Sequence, residues 1–141
     1  MEPIMTAVEI HEFLDREFPQ VRADGEVLNI TEVAAGQLSM RFQPTERHLR
    51  PGETVSGPAM VMLADVAAYA VILAHIGPVA LAVTTSLNVN FLRRPKLAPL
   101  FCQCRILKLG KRLAVIDAVL SQEEVAGPVA QATVTYSIPP R

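Results

Sequence analysis

The chain has no tryptophan and is only 5% aromatic, which leaves too few rings for a platform on which nucleic-acid bases could stack. Neither sign of charge dominates. Thirteen Lys and Arg stand against fourteen Asp and Glu, for a formal net charge of -1, so the electrostatic footprint of a nucleic-acid binder is missing. There are two cysteines, Cys102 and Cys104. Their i, i+2 spacing puts both on one face of a strand. That geometry is poor for a mutual disulfide and is not the CxxC of a redox or zinc motif. Two small buried thiols in a reducing compartment are expected. His11, His48 and His75 share no metal-ligand spacing, so no metal is expected; separately, no cofactor is expected. The N-terminal MEPIMTAVEIHEF lacks the basic and apolar regions of a secretory signal, and a cytoplasmic location is the default expectation. Repeats, low-complexity tracts and linkers are also missing, and 141 residues suit one domain over 1–141.

What the chain does have is apolar mass, with 50% hydrophobic residues and a mean hydropathy of +0.30. It is concentrated in Gly57 to Ile76 (GPAMVMLADVAAYAVILAHI), where Asp65 is the one acidic residue. A helix apolar nearly all round is a buried helix. A carboxylate on it must be paired, hydrogen-bonded or protonated, and groups held in this way are often functional. The stretch has the length of a membrane span, but a central Asp is expensive in lipid, and no membrane is expected as a partner.

The flanking segments read more simply. Residues 6–18 predict an amphipathic helix with Thr6 and Glu9 as a capping box and Pro19 as its stop. Strands are expected at about 25–33 and 37–43, the second with Leu38, Met40 and Phe42 alternating against polar residues. Residues 44–56 read as a long polar loop. Ser56 is a plausible N-cap for a helix over about 57–76, with Pro58 in its first turn and Gly77-Pro78 as its end. Strands follow at 80–92, 99–109, 111–121 and 128–138, with Gly110 in a hairpin, and read as an antiparallel meander. In the first of these, strict alternation places Val83, Thr85, Leu87 and Val89 on one face and Thr84, Ser86 and Asn88 on the other. A single helix can bury its whole circumference only if the sheet curls around it, which is an α+β layer architecture.

A long apolar helix with one Asp, followed by T-x-S-L-N-x-N-F-L-R-x-P, resembles the hotdog-fold acyl-CoA thioesterases, and among them the type associated with phenylacetic acid degradation. The resemblance covers about 25–138. The family pattern begins its helix with His-Gly-Gly and places an acidic residue nine positions after the His. Here the triplet is Ser56-Gly57-Pro58, and Asp65 stands nine after Ser56. The family's Asn before the helix has no counterpart in His48-Leu49-Arg50. The resemblance implies a hotdog fold, an acyl-CoA substrate and a homodimer, commonly doubled into a tetramer. It also implies three roles: Asp65 as base or nucleophile, the Gly57 N–H polarising the thioester carbonyl, and Thr84 holding the water. Ser56, Val61, Met62 and Tyr69 are candidate pocket residues. Arg93, Arg94, Lys111 and Arg112, with Lys108, are candidates for the phosphates of coenzyme A.

Two points of geometry sharpen these expectations. Gly57 and Asp65 lie eight residues apart, about 12 Å along one helix, too far to act on one reacting group. A site composed from two subunits is therefore expected. Thr84, on the polar face by strict alternation, reaches such a site only if that face meets a dimer interface or a bulge re-aims it. A non-catalytic acyl-CoA-binding protein of the same fold is the alternative reading, and a hotdog hydratase ranks third, for want of an Asp/His pairing.

Overall fold

The computed structural model describes residues 1–22 and 27–141. Helix α1 (Ala7–Glu17) starts at the expected capping box: Thr6 Oγ1 accepts from Glu9 N–H at 3.2 Å, and Glu9 Oε1 accepts from Thr6 N–H at 2.9 Å. Ile10, Phe13 and Leu14, at helical spacing, form its buried face. Strands β1 (Leu28–Ala34) and β2 (Gln37–Phe42) form a hairpin around Gly36, whose φ of +69° suits glycine. The first residues of the expected strand 25–33 lie outside the described residues. The polar loop 44–56 is more ordered than expected. It holds a 3₁₀ turn (Glu46–His48) and the two-residue strands β3 (Leu49–Arg50) and β4 (Thr54–Val55), which pair with each other.

Helix α2 (Gly57–Ile76) has the expected bounds. Ser56 caps it, accepting from Ala59 N–H at 3.3 Å, and Gly77 ends it at φ +94°. Although long and apolar enough to span a membrane by length and composition, α2 is the core of this fold. Leu63, Ile72 and Leu73 are fully buried, and truncating any one of them to alanine costs about 2–5 kcal/mol at such sites. His75, in its last turn, is tied at both nitrogens: Nδ1 donates to Val71 O and Nε2 accepts from Gly36 N–H, each at 2.8 Å.

The remaining strands are β5 (Val83–Phe91), β6 (Leu100–Leu109), β7 (Leu113–Ser121) and β8 (Ala130–Ser137). All pairings are antiparallel, in the order β1-β2-β6-β7-β8-β5. Only β6, β7 and β8 form the expected meander. Strand β5 pairs with β8 instead of its sequence neighbour β6 and so becomes an edge. The sheet wraps α2, which touches all six of its strands. Bulges in β1, β5 and β6 aid the curl, since an extra residue bends a strand and increases its twist. This is the hotdog arrangement. Cys102 and Cys104 are free, buried side by side on β6, with sulfurs 3.8 Å apart.

Candidate functional site

Asp65 sits midway along α2 and is half-buried, where the apolar run alone suggested a fully buried carboxylate. Its Oδ1 accepts two hydroxyl hydrogen bonds, from Thr84 Oγ1 at 2.6 Å and from the Tyr136 hydroxyl at 3.0 Å. The Tyr136 hydroxyl also lies 3.2 Å from the main-chain carbonyl of Asp65. Three elements, α2, β5 and β8, thus converge on one carboxylate oxygen. Among the described residues, Oδ2 takes no comparable donor.

Strand register explains how both hydroxyls arrive. Thr84 pairs with Tyr136, and Ser86 pairs with Thr135, so Thr85 is an extra residue in β5. The bulge shifts the alternation by one. Thr84 therefore joins Leu87 and Val89 on the half-buried inner face, while Thr85 and Ser86 are exposed. Of the two routes by which Thr84 could reach the site, a dimer interface on its outer face or a bulge, the chain uses the bulge. Tyr136 lies on the inward face of β8, in series with the buried Ala130, Ala132, Val134 and Ile138. Its signal was available in the sequence: among those inward positions it alone carries a hydrogen-bonding group, which a buried tyrosine must satisfy.

The surroundings of Tyr136 hold its hydroxyl in the neutral form. Burial, and then the nearby Asp65 carboxylate, push its ionisation well above the ordinary tyrosine range. Its ring stacks on Tyr69, with centroids 5.9 Å apart and planes at 14°. Tyr69 in turn donates to Ala80 O at 3.0 Å and meets the edge of Phe18 at 6.4 Å.

A cavity of about 640 Å³ opens beside Asp65. Met62, Val66, Tyr69, Phe18 and Val21 give it apolar walls, and Ser56, Pro58 and His48 lie toward the helix start. His48 Nδ1 accepts from Thr45 N–H at 2.8 Å, and burial lowers the pKa of its ring. Met62, Tyr69 and Ser56 all line this cavity. Val61 is half-buried and lines neither this cavity nor the next.

Gly57 faces elsewhere. With Met60, Phe91, Arg50, Arg93 and Arg94 it lines a second cavity of about 470 Å³. A Cβ at Gly57 would lie 3.3 Å from the Phe91 ring, so the backbone is closely approached there. The expected separation of Gly57 from Asp65 is therefore visible in one chain as two different cavities. Arg93 is anchored by a bond from Nη1 to Pro128 O at 2.7 Å. The expected basic residues do not form one cluster. Arg93 and Arg94 follow Phe91 at one end of β5. Lys111 and Arg112 precede Leu113, which pairs with Ser137, the partner of Val83 at the other end. Eight residue steps of strand, roughly 26 Å, separate these ends. Among the described residues, no three His, Cys, Asp or Glu side chains are placed to hold a metal ion.

The chain and its fold have counterparts among known proteins. The family model of the thioesterase superfamily matches residues 52–128, the segment from the end of the polar loop through α2 and β5 to the turn before β8. A Silicibacter protein assigned provisionally as a thioesterase is 48% identical, with 99% of this chain and 96% of that one covered and a TM-score of 0.89. A Ralstonia eutropha protein described as phenylacetic acid degradation-related, also assigned provisionally as a thioesterase, is 25% identical. There 89% of this chain and 98% of that one are covered, with a TM-score of 0.78. A Streptococcus mutans protein solved with acetyl-CoA bound shares the fold at 21% identity and a TM-score of 0.71, over 81% of this chain and 90% of that one. None of the curated proteins matches the chain. With more than half of its length matched by the family model and a solved relative at 48% identity over nearly all of it, this chain belongs to the thioesterase superfamily.

Proposed function

We propose that the protein hydrolyses acyl-CoA thioesters to a carboxylic acid and free coenzyme A, and that Asp65 is the group that activates water. The observation that carries this reading is the state of the Asp65 carboxylate. Two neutral hydroxyls occupy Oδ1, while Asp65 borders an apolar cavity large enough for an acyl group. A carboxylate held in this way can take a proton from water as it adds to the thioester carbonyl. The carbon–sulfur bond then breaks, and the proton passes to the departing thiolate. Thr84 commits its hydrogen to Asp65, so it orients the carboxylate. Its remaining lone pairs can accept from the attacking water.

The oxyanion that forms needs a preorganised donor. The Gly57 N–H at the start of α2 suits this role, because a helix N-terminus offers free N–H groups and partial positive charge. Its distance from Asp65 supports a site shared between two subunits. Strand β5 is an unpaired edge with exposed Val83, Phe91 and Leu92, and such an edge is a template for pairing. Antiparallel pairing of β5 with its copy, centred near Leu87, would lay the Phe91 end of one strand beside the Thr84 end of the other. That arrangement carries Gly57 of the partner subunit toward Asp65. The acyl group would then occupy the cavity lined by Met62 and Tyr69, and Arg93 and Arg94 would lie near the Gly57 end for the phosphates of coenzyme A.

A panel of aryl- and fatty-acyl-CoAs, assayed for thiol release, tests the reading. Turnover of at least one substrate is expected, with loss of about 100-fold or more in Asp65→Asn. Tight binding without thiol release would identify an acyl-CoA-binding protein instead. Thiol release unaffected by Asp65→Asn would remove Asp65 from the mechanism.

A further inference from the structure

We infer that Tyr136 is a positioning residue for Asp65, fixing which carboxylate oxygen faces the cavity. This inference rests on the thioesterase reading above. Its basis is that the phenol reaches two acceptors of the same residue. The Tyr136 hydroxyl is 3.0 Å from Asp65 Oδ1 and 3.2 Å from the Asp65 main-chain carbonyl. One hydroxyl has one hydrogen, so the two oxygens share it, and they can do so only while the side chain folds Oδ1 back beside its own helix backbone. Other rotamers of Asp65 would break the arrangement. Thr84, which grips the same Oδ1 at 2.6 Å, adds a second restraint from a different strand. The other oxygen, Oδ2, is then the one left for water.

The phenol is itself well held. Tyr136 is only 4% exposed, so solvent has little room to replace its hydroxyl. Tyr69 stacks against its ring, and the Tyr69 hydroxyl is anchored on Ala80 in the loop that leads into β5. Tyr69 thus supports both donors, Tyr136 by ring contact and Thr84 through the chain that delivers it. Because burial and the Asp65 charge raise the ionisation of Tyr136 above the ordinary tyrosine range, the donor keeps its hydrogen throughout the neutral range.

The experiment compares wild type, Tyr136→Phe and a protein with 3,5-difluorotyrosine installed at position 136. Tyr136→Phe keeps the ring and removes the hydroxyl. It is expected to lower kcat about 10- to 100-fold with KM unchanged, the range expected for one hydrogen bond to a charged group. The fluorinated phenol keeps the hydroxyl and the packing. It is expected to restore kcat to near the wild-type value, with KM unchanged in all three proteins. A purely structural role would move KM or stability and not kcat alone. Equal kcat and KM in wild type and Tyr136→Phe, a raised KM at unchanged kcat, or a fluorinated protein as slow as Tyr136→Phe would each overturn the positioning role while leaving the thioesterase reading intact. A wild-type chain that releases no thiol from any acyl-CoA would overturn both.

Discussion

Thr84 donates to Asp65 across 2.6 Å, from an edge strand to the central helix, and the pair exists because Thr85 is an extra residue in β5. With strict alternation from Leu87 backward, position 85 would point inward and Thr84 outward. The extra residue reverses that parity. Thr84→Val keeps the shape and removes the donor. Its kcat is expected to fall about 10- to 100-fold at little changed KM, while Thr84→Ser stays near wild type. Steady-state kinetics of the two variants check this, and equal loss in both would argue for packing in place of the hydrogen bond.

The two cavities separate Gly57 from Asp65 within a chain. Asp65→Asn and Gly57→Val should each be inactive alone. A dimer with two-fold symmetry and shared sites, reassembled from equal amounts of both, should regain about a quarter of the wild-type rate, because half the dimers are mixed and each holds one intact site. Thiol release measured after mixing decides the matter; no recovery would count against a shared site. Gly57→Ala should fold within about 1 kcal/mol of wild type, since the Phe91 ring it meets at 3.3 Å is 53% exposed and can give way.

His75 ties the end of α2 to the β1–β2 turn through its bond from Gly36 N–H. Replacing it with phenylalanine fills the volume but leaves that N–H without its acceptor. A loss of about 1–3 kcal/mol is expected, seen as a lower urea midpoint at unchanged slope. A midpoint equal to that of wild type would show that the contact contributes little.

His11 Nε2 accepts from Ile30 N–H at 2.9 Å, joining α1 to β1. Burial, and then Arg22, lower its pKa below 6.5. The folded state therefore prefers the neutral ring, and the unfolded chain binds the proton more readily. Stability from this group is present above about pH 6.5 and is lost as pH falls through the lower folded value. The melting temperature of wild type should drop below pH 6.5 more steeply than that of His11→Asn. Parallel curves would exclude His11 as a source of acid sensitivity.

Much of the fold was legible in the residues themselves. The capping box at Thr6, the cap at Ser56, the stop at Gly77 and the apolar run between them define both helices, because these are local effects of hydrogen bonding and backbone freedom over a few residues. The period of β2 is equally local. An α2 without a polar face already implied a sheet wrapped around it, and Asp65 stood out because an acidic group in such a run needs partners. The identity of those partners was a different matter. Tyr136 lies 71 positions away in the chain, and no local pattern couples the two. Strand order placed β5 beside β8 and at an edge, although its sequence neighbour is β6. One bulge turned Thr84 from the solvent face to the carboxylate, and a bulge is a property of the pairing between two strands. The sequence by itself thus determined the two helices α1 and α2 and the longer strands, and singled out Asp65, because propensity, capping and burial act over short spans. Only the tertiary structure decided which hydroxyls hold that carboxylate and which cavity it faces, because register and strand order arise from contacts between distant segments.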